Sequence, residues 1–206
     1  MTTEERILSA ARQEFLEHGY DGSRMRSIAE RARINKGLLH YYFKSKEALL
    51  QRVFESTFNE LFGQINEIVS RDLDLFVQLR KIIIAYTDFV KSKPELPYFI
   101  ASEMRRNPAL PMQIAHGGTG TFNRLKSSIR EAAKNGLIRP EIKPEHVIVN
   151  MMSLVLFPFI TKAMVCHLNQ LNEDQFNQFI EDRKEVIAEL LINDLKPIER
   201  NERSKN

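Results

Sequence analysis

Residues 23–46 constrain this chain more than any other stretch. They read as a short helix, a tight turn, a second short helix and the start of a third. The stretch carries seven Lys/Arg (Arg24, Arg26, Arg31, Arg33, Lys36, Lys44 and Lys46) against one acid, Glu30. The whole chain of 206 residues has a formal net charge of only +3, so this basic character is local. A compact helix pair with such a surplus is suited to reading DNA. The rest of the chain must then carry and control the reader.

Composition narrows the setting. A hydrophobic fraction of 43% supports a globular core. The single cysteine, Cys166, excludes an internal disulfide and fits a reducing compartment. The acidic start, Met-Thr-Thr-Glu-Glu, has no apolar run, so no signal peptide is expected. The most apolar stretch, 147–160, is interrupted by Asn150 and Ser153. It falls short of the ~20 residues a membrane span needs. The expectation is a soluble cytoplasmic protein with no membrane partner.

Helical spacing recurs throughout, and no period-two strand pattern survives. Thr2 and Glu5 have capping-box spacing, and a first helix follows that should stop near Gly19. Ser23 is placed to cap the second helix and Asn35 the third, with Arg33-Ile34 between them. In the third helix Leu39, Tyr42 and Phe43 share an inward face, and Gly37, Leu38, His40 and Tyr41 point away. Ser45 caps a long helix over 46–71. Further helices are expected over 74–91, 97–106, 112–134, 144–167 and 172–195. His116-Gly117-Gly118-Thr119-Gly120 should break 112–134 near its start, and Pro158 should kink 144–167. The polar segment 197–206 reads as a frayed tail.

These residues resemble a known family. Gly19-Tyr20, the run Met25-Arg26-Ser27-Ile28-Ala29-Glu30-Arg31-Ala32, the run Lys36-Gly37-Leu38-Leu39-His40-Tyr41-Tyr42-Phe43 and Lys44-Ser45-Lys46-Glu47-Ala48-Leu49 resemble the N-terminal domain of TetR-family transcriptional regulators. The resemblance covers about residues 4–50. It implies an all-α chain: a three-helix helix-turn-helix DNA-binding domain over 1–48, a larger helical ligand-binding and dimerisation domain over 49–196, and the polar tail. It implies DNA-contacting roles for Ser23, Arg26, Lys36, Gly37, Leu38, His40, Tyr41, Tyr42 and Lys46. Three positions depart from the family's habit: His40 replaces its usual Tyr, Leu38 its usual Thr or Ser, and Arg33 its usual turn Gly.

The chemistry of the residues agrees. A helix of about two turns fits the major groove, and its free N-terminal N–H groups face phosphates. Gly37 permits close approach, Lys36 reaches a base edge or phosphate, Leu38 suits a thymine methyl, and His40 and Tyr41 donate hydrogen bonds. Arg26 and Lys46 are placed to clamp the backbone, with Ser23 touching phosphate while it caps. Tyr42 is as consistent with the core as with a phosphate contact. Arg33 costs about 1 kcal/mol relative to glycine if the turn keeps a positive φ, and brings a cation toward DNA.

One short helix reads too little DNA for selectivity, which calls for a homodimer on a palindromic operator. The two apolar helices over 144–167 and 172–195 are the candidate interface, through Met151, Leu154, Val155, Phe159, Phe179, Arg183, Ile187 and Leu190. Each of these equally suits the monomer core. The resemblance implies a small-molecule effector pocket in the middle helices, where Phe58, Phe62, Tyr86, Phe89, Phe99, Met104, Phe122 and Met152 are candidates. No catalytic set, cofactor loop or spaced metal ligands stand out, so neither an enzyme, a cofactor nor a metal is expected. Glu103, Arg105 and Arg106 read as surface charges. The alternative is a helical protein-interaction module whose basic N-terminal domain binds an acidic partner.

Overall fold

The computed structural model describes residues 1–197, with the side chains of 110–116 excepted. The expected frayed tail therefore lies, beyond residue 197, outside the described residues. The described chain is helical and contains no strand: α1 (Thr3–Gly22), α2 (Met25–Arg31), α3 (Lys36–Tyr42), α4 (Lys46–Val69), α5 (Leu75–Lys91), α6 (Leu96–Arg106), α7 (Leu110–Lys134), α8 (Pro144–Ile160), α9 (Lys162–Asn169) and α10 (Glu173–Leu195). No single described helix is long and apolar enough to cross a membrane. Two compact units form, one from Met1–Gly63 with Lys93–Thr119, the other from Gln64–Ser92 with the chain from Gly120 onward.

The first unit holds the expected helix-turn-helix. Thr2 and Glu5 close a reciprocal capping box at the start of α1. Asn35 Oδ1 accepts the Leu38 N–H at 2.7 Å, and Ser45 Oγ accepts the Ala48 N–H at 3.1 Å, so α3 and α4 start where those caps stand. Gly19 has φ 65° and ψ 176°, a region open essentially to glycine alone, and it interrupts α1 before one last turn. Phe15, Ile28, Leu39 and Leu49 are fully or almost fully buried and root the first four helices in one core. Phe99 of α6 joins that core. Its ring lies 6.5 Å from Phe15 and 5.5 Å from Phe54, centroid to centroid.

In the second unit α5, α8 and α10 pack on one another, and α9 packs on α8. Leu79, Ile82 and Ile83 of α5 meet Val147, Met151 and Val155 of α8 and Ile187, Ala188 and Leu191 of α10 in the buried set.

One expectation about helix continuity fails and one holds. The glycine-rich run at 116–120 does not break α7, which is helical from Leu110 to Lys134. Glycine in a helix costs about 1 kcal/mol against alanine, not a break, and the buried Thr121, Leu125 and Ile129 that follow anchor the helix. Conversely, 144–167 is two helices bent by 76° at Thr161. Pro158 lacks the N–H that would bond the Leu154 carbonyl, and Arg183 Nη2 of α10 donates to that carbonyl at 3.1 Å. Helical geometry is given up three residues after the proline.

Arg33 takes φ 55°, the left-handed turn geometry the sequence suggested. Arg33→Gly should therefore raise the stability of the folded chain by about 1 kcal/mol. In thermal unfolding this is a Tm gain of about 2–4 °C for a chain of this size. An unchanged or lowered Tm would show that the turn draws net support from the arginine side chain.

Candidate DNA-binding surface

The helix-turn-helix sorts its own residues into those that build it and those it presents. In α3 only Leu39 is buried; Lys36, Gly37, Leu38, Tyr41 and Tyr42 are exposed and His40 is half-buried. Tyr41 is 74% exposed and Tyr42 40%, with their rings edge to face at 5.6 Å. Tyr42 therefore leaves the inward face expected for it. The helix ends at Tyr42, and Phe43 enters extended backbone (φ −132°, ψ 110°) that turns its ring into the core instead. At Gly37 a Cβ would stand 3.3 Å from Asn35 Oδ1, the very atom that caps α3. Glycine there protects the cap as well as leaving room for a ligand.

The cations divide in the same way. Arg31 binds Glu17 through both terminal nitrogens, at 3.0 and 2.5 Å, and lies 3.5 Å from the buried Glu14. That bond holds the Glu17 carboxyl below the usual range. Glu14, Glu17 and His18 also come within metal-binding distance of one another, and Arg31 already supplies the positive charge there. Arg26 is exposed and pairs with Glu30, one turn on, at 2.9 Å. Arg24, Arg33, Lys36 and Lys44 are exposed and hold no carboxylate among the described residues.

Two residues expected to touch phosphate are used internally. Ser23 is 3% exposed, and its hydroxyl donates to the carbonyls of Glu14, at 3.1 Å, and Gly19. It closes the end of α1 and does not cap α2, whose N-cap is Arg24 without a side-chain bond. At the same helix end the Ser23 backbone N–H donates to the Tyr20 carbonyl at 3.3 Å. Lys46 is likewise turned inward. Its ammonium donates to the carbonyls of Tyr20 at 2.7 Å and Ser23 at 3.0 Å, and lies 4.2 Å from the Tyr20 ring centroid.

The other side of Tyr20 was not legible in the sequence. The Arg106 guanidinium of α6 lies 3.6 Å from the same ring centroid, and its Nε donates to Glu103 at 2.7 Å. Glu103 is 4% exposed, so neither residue is a plain surface charge. The acid at i−3 from an arginine, Glu103 to Arg106, was the available signal.

The candidate pocket residues are divided between the two units. Phe58, Phe62, Phe99 and Met104 fall in the first unit, Tyr86, Phe89, Phe122 and Met152 in the second. Phe99 is taken up by the helix-turn-helix core, and Met104 is exposed. Met152 sits on the outer face of α8, because the inward face at helical spacing is Val147, Ile148, Met151 and Val155. For the same reason Met151, Val155, Phe159 and Ile187, named for the interface, are buried within their own unit, while Leu154, Phe179 and Arg183 are half-buried and Leu190 is exposed.

Known proteins share this arrangement. Residues 7–53 match the profile of the bacterial regulatory proteins of the tetR family. The chain is 30% identical over 159 residues to the HTH-type transcriptional repressor NicS of Pseudomonas putida, covering 75% of this chain and 74% of NicS. It belongs to the TetR family. A further relative is the HTH-type transcriptional regulator YhgD of Bacillus subtilis, 26% identical over 152 residues, covering 73% of this chain and 78% of YhgD. Among solved structures, the hemolysin II transcriptional regulator HlyIIR is 27% identical with a TM-score of 0.63, covering 95% of this chain and 98% of its own. FadR of Bacillus subtilis, solved in complex with stearoyl-CoA, shares the fold with a TM-score of 0.75 at 20% identity, covering 93% and 98%. This TetR-family chain is thus a DNA-binding transcriptional regulator built on an all-α fold.

The junction below its reading helix carries a testable ionisation. Burial first, and then the hydrogen bond to Glu47, push the Tyr20 phenol from 10.0 up to about 12. The fold thus favours the neutral phenol. Its contribution is complete below pH ~10 and is lost as pH rises through about 12. Denaturant unfolding across that window should show the wild type losing more stability than Tyr20→Phe. Parallel losses would dissociate Tyr20 from the alkaline transition.

Proposed function

We propose that this regulator is a repressor that binds a palindromic operator as a homodimer and is released by a small, apolar or aromatic effector. One observation carries the DNA half of the reading: α3 keeps a single residue, Leu39, for the core and presents Lys36, Gly37, Leu38, Tyr41 and Tyr42 outward beside unpaired cations. Leu38 and Tyr41 meet the groove, and Lys36 meets a base edge or phosphate. Arg26 binds the DNA backbone by exchanging Glu30 for phosphate. His40, half-buried, takes part from the edge of the helix. Ser23 and Lys46 serve by holding α2 and α4 in place. Residues 1–48 then act as the DNA-binding domain and 49–196 as the ligand-binding and dimerisation domain, in a cytoplasmic protein.

The dimer half rests on apolar surface. On α8, Val149, Phe157 and Ile160 are 58%, 55% and 43% exposed, and on α10 Val186 and Leu190 are 55% and 56% exposed. α8 and α10 pack on each other, and we infer that these stripes form one surface. Two copies meeting there form a four-helix bundle with two-fold symmetry. The interface so defined keeps Leu154, Phe179, Arg183 and Leu190 from the sequence reading and adds the outer face of α8.

Effector control is supported by the second unit and by likeness. Tyr86 and Phe89 of α5 are buried there, and beside them Thr87 Oγ1 is buried without a hydrogen-bond partner. An apolar ligand carrying one polar group would match these side chains. FadR takes an acyl-CoA, and NicS is a repressor, which favours both the effector class and the sign of regulation. A ligand that prefers one spacing of the two readers shifts the population away from DNA.

Selection from random duplex DNA tests the reading. A palindrome should be enriched, with two chains per site. Arg26→Ala should weaken all sequences alike, and Leu38→Ala should shift base preference by about 1–3 kcal/mol at its position. Ligands found by thermal shift should lower operator affinity at saturation. Failure to enrich any motif would favour an interaction module over a DNA reader.

The dimer has its own test. Phe157→Glu and Leu190→Glu place charge on surface that is exposed in the single chain, so helicity should persist. Sedimentation should then report a monomer with weakened operator binding. A dimer that survives both substitutions would move the interface elsewhere.

A further inference from the structure

A second basic surface lies apart from the outward face of α3. A groove in the first unit runs between the start of α1 and the end of α2 with its turn. It is lined by Arg6, Ser9 and Gln13 from one side and by Arg31, Ala32 and Arg33 from the other, with Met1 and Ala10 completing it. The lining includes three arginines and no acid.

The three arginines are not equivalent. The Arg31 guanidinium is spent on Glu17 and Glu14, and it also donates to Gln13 Oε1 at 3.4 Å. That bond leaves the Gln13 amide NH2 free to donate elsewhere. Arg6 and Arg33 make no ion pair and no side-chain hydrogen bond among the described residues. Three other arginines of the same unit find acids, Arg26 with Glu30, Arg52 with Glu4 and Glu55, and Arg106 with Glu103, while Arg12, Arg24 and Arg105 form no ion pair among the described residues and do not line this groove. Two guanidinium groups brought to one groove without counter-charge repel each other and gain from an anion between them.

Arg33 adds a second argument. It holds φ 55° in a turn where glycine would be free of strain. The described fold returns no bond for its side chain. Strain retained without local recompense is characteristic of positions kept for an external partner. The partner's chemistry follows from the groove: cationic forks flanked by the neutral donors Ser9 and Gln13 match phosphate oxygens. Its identity follows from placement. Arg33 stands three positions before Lys36 at the start of α3, at most about 11 Å of chain. A duplex engaged by α3 therefore brings its own backbone near this groove.

We propose that Arg6 and Arg33, with Ser9 and Gln13 as neutral donors, form a backbone-phosphate site that extends the DNA contact beyond the helix-turn-helix pair. The proposal rests on the DNA-binding reading and assigns that surface a new part. Its contribution is affinity and register, without sequence information.

The test uses the full-length protein and the operator duplex recovered by selection. Binding is measured against salt for the wild type, Arg6→Gln, Arg33→Gly, the double variant and Lys93→Ala, which removes a cation paired with Glu60 elsewhere in the unit. Each of the first two substitutions should make the slope of log K against log salt shallower by about 2 for a dimeric complex, one phosphate per copy at about 0.9 each. The loss should be the same on the operator and on a scrambled duplex. Lys93→Ala should keep the wild-type slope. Arg33→Gly relieves backbone strain, so misfolding does not account for its loss. Wild-type slopes in Arg6→Gln and Arg33→Gly, or losses confined to the operator, would overturn the site while leaving DNA binding by α3 intact. A wild type that binds neither duplex would instead defeat the reading on which the proposal stands.

Discussion

The reading head depends on how α1 ends. Gly19 interrupts the helix, and at this part-buried corner the carbonyls of Glu14, Gly19, Tyr20 and Ser23 take side-chain donors, Tyr20 in addition to the Ser23 backbone N–H. A buried carbonyl left unpaired costs about 1–3 kcal/mol. Two side chains meet the need: Ser23 through its hydroxyl and Lys46 through its ammonium. Lys46 is also the first residue of α4. A polar bond that satisfies α1 thereby pins the start of the long helix against the residues that lead into α2. The Tyr20 ring lies beside both the Lys46 ammonium and the Arg106 guanidinium, which brings α6 to the same corner.

A basic stretch takes on a different meaning once its charges are followed to their partners. Seven cations between residues 23 and 46 look like one electrostatic patch. In the fold, Arg31 is an internal strut on Glu14 and Glu17, and Lys46 is a cap for carbonyls. Arg26 is held in a loose exposed pair, worth little on its own and easily exchanged for phosphate. The cations left exposed and without a carboxylate partner are Arg24, Arg33, Lys36 and Lys44. Part of the charge that suggests a nucleic-acid surface builds the surface, and the remainder is presented by it.

What could be read in advance follows the range of the forces involved. Local signals were legible: the capping box at Thr2 and Glu5, the Asn35 and Ser45 caps, the positive φ at Arg33 and the outward face of α3. Each depends on residues within one turn of one another. Features that depend on a distant partner were not. Ser23 and Lys46 carry the side chains of phosphate ligands, and only the break at Gly19 diverts them inward. Phe99 has the look of a pocket residue until Phe15 and Phe54 flank it. The apolar helix α8 could not be phased from its own residues, since both its faces are hydrophobic; the packing of α5 and α10 decides that Met151 and Val155 turn in and Val149 and Phe157 turn out.

Pro158 shows how such a helix acquires a direction. Apolar faces slide and rotate at little cost, so α8 and α10 need a polar contact to fix their register. Proline removes one N–H and exposes the Leu154 carbonyl, an acceptor inside an otherwise apolar seam. Arg183 reaches it from α10 while its guanidinium lies 5.5 Å from the Phe179 ring centroid. Burial pushes the Arg183 pKa down from its ordinary value, the mark of a charge partly withdrawn from water. Any rotation of α10 that broke this bond would strand the carbonyl and the cation together. The bond therefore locks the two helices at the one register in which Met151, Val155 and Ile187 are covered. In that register Val149, Phe157, Val186 and Leu190 are left facing outward, so the apolar surface proposed above for a second copy is fixed by the same contact that closes the core behind it.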